Sequence, residues 1–532
     1  PSRNRHADTL FALVSGLLAI SFTISTIRGL TPWQTPDANA FTNYFSPFNA
    51  LRISKGAVWA FLLYGLFARI VYAGHNVPRV FSFGLIFGVA GAILVTLWER
   101  VNFPGLLNFS DVYRVTGPFS QMHVGGADIE TYLVIGAPFL VLLLFDKVSV
   151  WVRIACVLLL FGATYSVMVT FSRVGYAGFG IAFLFAVTAV IVSNAKDRSA
   201  TPLKRLAYPL VLLIAILGVA TPIFYSQFAQ ERMTLVAADL NARQNHWEDA
   251  LRMRDSSWAA TFFGMGVGRY PETHFWRSEE TKAAAYWLGL EPENTFLRLG
   301  GGNPLYVEQF VSLKPENDYT ITMKVRSTKV DSRLTLSICE KWLLTSAQCI
   351  AETINSNGNG SWQQVQIHIL SGDLGRGPWY ASRPVKLALY NMNPLAPVEL
   401  DDLRIDSAAG ESILTNGDFS KEFDHWFFSV DNDLPWHIWS LPIQVLFDQG
   451  WLGVIAFGLF LSVGLWRAGR QALRGSGQAG VIFASGVGFA VIGTLDSLID
   501  SPRLLLLCLL VLWLSWNSGK VAPADARALG RS

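Results

Sequence analysis

Long apolar runs fill the first 225 positions of the chain and return after about position 440. Stretches near 8–27, 52–74, 80–98, 129–146, 151–171, 174–194, 206–225, 441–464, 479–497 and 502–517 are mostly apolar over roughly 17–25 residues, the length a helix needs to cross a hydrocarbon core of ~30 Å. The pattern predicts ten membrane helices. The stretch from about 226 to 436 changes character within itself. QFAQERMTLVAADLNARQNHWEDALRMR carries apolar residues at mixed three- and four-residue spacing with few breakers, which predicts helix up to about 280. From about 292 to 408, LYVEQFVSL, DYTITMKVRS, SRLTLSIC, SWQQVQIHIL, VKLALYNM and VELDDLRID alternate between apolar and polar positions. Gly, Pro, Asn and Asp separate them, so they read as strands of a β-sandwich. The expected fold is a multi-pass α-helical membrane protein with an inserted all-β sandwich. Its segments are N-terminal transmembrane helices at 1–225, a helical segment at 226–290, the sandwich at 291–430, C-terminal transmembrane helices at 431–518 and a tail at 519–532.

Composition supports the lipid bilayer as a partner, since 51% of the 532 residues are hydrophobic and 15% charged. The net charge of +3 comes without a basic stripe, which argues against a nucleic-acid partner. Positive charge orients the helices. Arg3, Arg5, Arg79, Lys147, Arg153, Lys196, Arg198, Lys204, Arg205, Arg467, Arg470, Arg474, Lys520 and Arg527 all fall on one side if the helices alternate, and that side reads as the cytoplasm. Loops 28–50, 99–128, 171–174 and 498–501 and the segment 226–436 then face the other way, expected to be the periplasm of a bacterial inner membrane. The chain opens at Pro1 and shows no cleavable signal, so a preceding piece with further helices is expected.

Cys156 and Cys508 fall within predicted spans and read as small apolar residues. Cys339 and Cys349 fall in the sandwich on the outer, oxidising side, where a short-loop disulfide is expected. No CxxC pair, HExxH or histidine cluster is present, so neither a structural metal nor a cofactor is expected.

Arg173, in TFSRVGYAGFG, lies between two apolar spans with almost no loop to shelter it. An ionisable group at that depth marks either function or an interfacial arginine that snorkels to headgroups. Arg114, in DVYRVTGPFSQMH, lies on the same side and is either an ordinary loop arginine or a second functional one. Arg243 and Trp247 share a helix face, and FFGMGVGRYPE follows them. Those glycines lack the preceding strand of a nucleotide loop and predict a tight turn close to the membrane core. His437 stands at the mouth of the next span, with His246, Glu248, His274, Asp424 and His425 as further candidate bases. His437 is preferred because it enters the membrane region, where a neutral imidazole accepts a proton near pH 7; its plainer reading is an aromatic-belt residue between Trp436 and Trp439. Arginines bind phosphate oxygens through a planar fork, and a lipid-anchored phosphate arrives at this depth.

In order, RVTGPF before a span, SRVG between two spans, an RxxxW helix followed by GMGVG, and a histidine followed by FDQGWLG resemble the O-antigen ligase and O-antigen polymerase superfamily of GT-C-like membrane glycosyltransferases. The resemblance covers most of the membrane part. Ile438 and Trp439 follow the histidine where that family commonly has Asn, and about twelve spans are usual there. It implies transfer of a glycan from an undecaprenyl diphosphate donor to a hydroxyl on a glycan or on lipid A core, on the periplasmic side, without a metal and with inversion. Arg173 and Arg243, with Arg114 beside them, would hold the diphosphate, and His437 would activate the acceptor. The insert resembles jelly-roll carbohydrate-binding modules, with Trp342, Trp362, Trp379 and Tyr380 as aromatics that either stack on sugar or fill the core. NGDFSKEFDHW resembles the start of another such module. Two other functions compete: a flippase or transporter of the same lipid-linked glycan, although no repeat between the halves supports it, and a non-catalytic glycan-binding membrane sensor.

Overall fold

The computed structural model describes residues 2–36, 40–41, 44–72, 77–119, 127–144, 148–194, 202–280, 284–292, 294–303, 305–330, 332–342, 345–377, 383–391, 393, 396–430 and 436–517. Its helices are α1 (Ser2–Gly29), α2 (Asn49–Tyr72), α3 (Val77–Asn102), α4 (Ala127–Leu144), α5 (Val150–Met168), α6 (Arg173–Asn194), α7 (Pro202–Phe224), α8 (Gln227–Thr234), α9 (Val236–Arg252), α10 (Trp258–Phe263), α11 (Tyr270–Arg277), α12 (Leu441–Leu473), α13 (Gly477–Gly493) and α14 (Pro502–Asn517). Helices stand at all ten apolar stretches. Among the described residues, seven of them (α1 to α6 and α12) are long and apolar enough to cross a membrane. Helix α7 adds an eighth only if counted with α8, to which it is bent by 79°. Helices α13 and α14, at 17 and 16 residues, are apolar but shorter than those seven. The apolar run entering α13 continues past Gly493, but the chain leaves the helix there, and the Leu495 carbonyl and Asp496 bond to an arginine instead.

Two compact units result, one comprising Pro1–Thr31, Ala50–Tyr270 and His437–Ser532 and the other Pro32–Asn49 and Pro271–Trp436. Helix α4 is the most buried of the seven, with 72% of its apolar window inside the protein. In lipid, helices gain little from burying apolar surface against one another, so close packing through small residues does more of the work. The α6–α13 contact shows this: a Cβ at Gly480 would lie 2.1 Å from Ala189 Cβ, and one at Gly178 would lie 2.8 Å from Ile492.

The GMGVG segment forms the tight turn its glycines predict, with φ of 76° at Gly264, 108° at Gly266 and 78° at Gly268. It docks backbone to backbone. The amides of Met265 and Gly266 donate to the carbonyls of Phe447 (2.7 Å) and Asp448 (3.0 Å), where Gly450 (φ 64°) breaks α12. The amide of Val267 donates to Ser25 Oγ of α1 at 2.8 Å, and that hydroxyl donates to the Asp448 carbonyl at 2.7 Å. Side chains would hold these carbonyls out of reach, which is what confines the turn to glycine.

In the other unit, ten strands among the described residues make two antiparallel sheets. They are β1 (Tyr286–Glu291), β2 (Asn294–Leu299), β3 (Leu305–Val311), β4 (Asp318–Arg326), β5 (Arg333–Trp342), β6 (Thr345–Asn355), β7 (Gln363–Leu370), β8 (Val385–Asn391), β9 (Val398–Ser407) and β10 (Phe427–Val430). One sheet runs β1-β2-β9-β4-β7 and the other β10-β3-β8-β5-β6. Strand β4 shows why: Tyr319, Ile321, Met323 and Val325 are buried while the residues between them are not, so one face packs inward. These side chains meet Leu336, Ile338, Leu387 and Leu389 from the other sheet in a single core closed by Trp426. The sandwich begins at Tyr286, five residues ahead of the 291 read from periodicity. YWLGLE hides its strand because Gly289 has no side chain to show the alternation, and the Phe296 ring occupies that place. Cys339 and Cys349 are register partners on β5 and β6 and are joined by a disulfide.

Gly264→Ala would place its Cβ 2.3 Å from the Asp448 carbonyl carbon at an unfavourable φ, whereas a Cβ at Gly65 meets nothing within 4 Å. Gly264→Ala is therefore expected to lower stability by more than about 2 kcal/mol and Gly65→Ala to leave it unchanged, read as thermal unfolding in detergent.

Candidate functional site

The SRVG motif opens α6. Phe171 takes a left-handed turn (φ 51°) after α5, and Ser172 then caps α6, its Oγ accepting from the Gly175 amide at 3.1 Å. The same hydroxyl donates to Glu130 Oε1 of α4 at 2.6 Å. Glu130 is fully buried, and a Cβ at Gly175 would lie 3.0 Å from its carboxyl carbon, so the glycine makes room for the acid. Arg173 is thereby fixed at the start of α6. Its guanidinium donates to the Arg232 carbonyl at 2.6 Å and pairs with Asp239 of α9.

Arg114 is placed by a buried acid. Glu99 of α3 accepts from Tyr113 Oη (2.7 Å) and from the amides of Thr116 (2.9 Å) and Gly117 (2.6 Å), winding the RVTG loop around its carboxylate. Burial, and then the Glu99 charge, push the Tyr113 phenol above its usual range, keeping it a donor. Arg114 Nε then reaches the Thr170 carbonyl at 2.7 Å, beside the SRVG turn.

Helix α9 offers one face, Arg243, His246 and Trp247, to the stretch His437–Trp439. His246 Nε2 donates to the His437 carbonyl at 2.9 Å, with Tyr270 Oη 3.0 Å from the same nitrogen. Trp247 Nε1 donates to the Trp439 carbonyl at 3.3 Å, and the Arg243 guanidinium lies 4.7 Å over the Trp439 ring. The segment between α13 and α14 closes the other side. Arg243 donates to the Leu495 carbonyl and lies 3.7 Å from Asp496, Ser497 Oγ accepts from the Trp439 amide at 3.0 Å, and Asp500 pairs with Nδ1 of His437. His437 and Asp500 are 15% and 8% exposed in their side chains, so water screens the pair little. With Nδ1–H given to the carboxylate, the acceptor lone pair of the imidazole is on Nε2. Trp439 holds a left-handed φ of 55°, a strained conformation kept by these surrounding bonds.

Arg114, Arg173, Arg243 and His437 therefore fall within one linked network. The other candidate bases have partners of their own. His246 is buried as the bracket just described, and Glu248 is exposed and pairs with Arg252 at 3.1 Å. His274, 3.5 Å from Glu280, and His425, 3.7 Å from Asp424, belong to the sandwich unit. Trp362 there lies beneath the Arg326 guanidinium at 4.2 Å and edge-on to Phe296, while Arg326 bonds Glu291 and Glu399, so that ring is already covered. Trp379, Tyr380 and the side chain of Trp342 lie outside the described residues.

The acids were the part not singled out from sequence: Glu99, Glu130, Asp239, Asp496 and Asp500. For Asp500 a signal existed, since it stands in the loop 498–501 read as facing the same side as His437, with Asp496 at the end of the apolar stretch before it.

No family model matches the chain, and no curated protein is similar to it in sequence. Among solved structures, one described as "CBM4 structure and function" is 15% identical and covers 24% of this chain and 81% of its own, with a TM-score of 0.19.

Glu99→Ala would strip three buried donors of their acceptor at about 1–3 kcal/mol each. The expected result is amide exchange at 113–117 faster than wild type by at least tenfold, with the α12 amides unchanged, read by hydrogen–deuterium exchange mass spectrometry.

Proposed function

We propose that this membrane protein is a glycosyltransferase, an O-antigen or exopolysaccharide polymerase or an O-antigen ligase, that moves a glycan from undecaprenyl diphosphate to an acceptor hydroxyl at the periplasmic face of the bacterial inner membrane. The observation that carries the reading is the His437–Asp500 pair, set in the same backbone clamp as Arg243. A histidine whose Nδ1 is held by a buried carboxylate is a general base at Nε2. In the reaction, Nε2 takes the proton of the acceptor hydroxyl as its oxygen attacks the anomeric carbon. The bond from that carbon to the donor phosphate breaks, and the new bond forms on the opposite face. The leaving diphosphate carries off the negative charge, and the forks of Arg173, Arg243 and Arg114 receive it. Asp500 orients the imidazole and balances its charge once it is protonated.

The network also explains why the arginines stand ready without substrate. Arg173 is held by Asp239 and Arg243 by Asp496, so incoming phosphate oxygens exchange one set of acceptors for another rather than meeting unpaired charge.

With a lipid-diphosphate glycan as donor, His437→Ala is expected to abolish transfer. Asp500→Asn is expected to lower kcat by about 10²–10⁴ with little change in KM, because the base is mis-oriented rather than lost. Arg173→Ala is expected to raise the donor KM and lower kcat together, with Arg173→Lys recovering only part of either. Transfer at the wild-type rate by His437→Ala would sink the mechanism. A ladder of repeats among the products supports the polymerase and a single transfer to lipid A core the ligase.

A further inference from the structure

The sandwich unit contains a cavity that none of the sequence motifs indicates. It has a volume of about 210 Å³ and is lined by Gln34, Thr35, Ser46, Glu272, Phe275 and Trp276, with Phe45, Phe48, Tyr286 and Ala40 behind them. Its walls come from three places in the chain: the segment 32–49, helix α11 and strand β1. The aromatic backing is rigid. Phe45 packs on Phe275 (5.1 Å between ring centroids), Tyr286 (6.3 Å) and Trp436 (5.4 Å), and Tyr286 stacks on Phe428 at 4.1 Å. Trp276 differs from these. It meets Phe275 edge-on at 4.8 Å and is 65% exposed, so a flat apolar face is open at the rim of the cavity.

We infer that this cavity binds a single sugar residue, with the ring laid on Trp276 and its hydroxyls shared among Glu272, Thr35, Ser46 and Gln34. The volume suits one pyranose ring and is below the ~300 Å³ where sites for larger ligands begin. A sugar ring has an apolar face of C–H bonds and a polar rim. It needs one flat aromatic surface and several short polar groups around it, and those are the residue types present. The carboxylate of Glu272 accepts hydroxyl hydrogen bonds, which a neutral sugar presents around its whole rim. A caged quaternary ammonium would need aromatic faces on several sides. Here four short polar side chains share the wall, and the inner rings are packed against one another.

The inference deepens the proposed function by naming a subsite for a non-reacting unit of the glycan, but the binding it predicts does not require that reading. The test uses the full chain in lipid nanodiscs and saturation-transfer NMR with a panel of methyl glycosides of neutral hexoses, 6-deoxyhexoses and N-acetylhexosamines, with a methyl glucuronide and choline as comparison ligands. At least one neutral methyl glycoside is expected to bind with a dissociation constant in the millimolar range, as one small ring allows. Trp276→Ala and Thr35→Ala, both at exposed positions, should each weaken it at least tenfold, and His437→Ala should leave it unchanged. Binding of choline or the glucuronide in place of neutral sugars overturns the inference, as does neutral-sugar binding that survives Trp276→Ala, or none at all. Sugar binding with wild-type protein that transfers no glycan keeps this site and discards the transferase. Transfer without sugar binding does the reverse.

Discussion

The hydrogen bond from the His246 ring to the carbonyl of His437 is the contact on which the site depends. Non-helical backbone at the edge of a membrane bundle has no helical partner for its polar groups, and each one left bare is costly. His437–Trp439 is such a stretch. Its carbonyls are taken by His246 and Trp247 from α9, and its Trp439 amide by Ser497 from the other side. Because the backbone is fixed by groups that reach the main chain, the identity of the imidazole ring is not needed to hold the stretch in place. The ring is then available for chemistry, with Asp500 setting its tautomer.

The arginines follow the same logic at other departures from helix. Arg173 comes two residues after the left-handed Phe171, and Arg114 lies on a loop wound around a buried carboxylate and donates to the Thr170 carbonyl. A guanidinium in low dielectric requires compensation, and each one has it from an acid or a carbonyl. The compensation is graded. Asp239 is 40% exposed in its side chain, whereas Asp496 is 13% exposed, so the Arg173 pair is the more easily opened by a competing anion.

How much of this was legible depended on whether a signal was local. Membrane helices carry their own pattern over twenty residues, and all ten stretches became helices; the sandwich was visible through its period of two. The shortness of α13 was not, because an apolar run does not reveal that the chain at Thr494–Ser501 is needed as a clamp for residues some sixty positions earlier. Arg173, Arg243 and His437 could be picked by residue type and place. Which acid each one pairs with could not, since Asp239, Asp496 and Asp500 have no periodicity and lie far along the chain from what they bind. SRVG reads as an arginine motif, whereas the structure uses three of its four residues: a serine for Glu130 and the α6 cap, an arginine for Asp239, and a glycine that leaves Glu130 its space.

The segment 32–49 is the other element that composition concealed. It lies between two membrane helices and reads as an ordinary loop, yet it belongs to the sandwich unit. The reason is aromatic. Tyr44 and Phe45 both pack on Trp436, and Phe45 also reaches Phe275, Tyr286 and Phe428. Rings of this size bury more apolar surface than any other side chains, and a short stretch bearing two of them is held by a partner cluster without forming a helix or a strand. The sandwich is thus not a domain inserted at one point. Its small cavity exists only because a loop from near the N-terminus supplies Gln34, Thr35 and Ser46, so excising 271–436 would remove the rings that hold that loop and the polar half of the cavity with them.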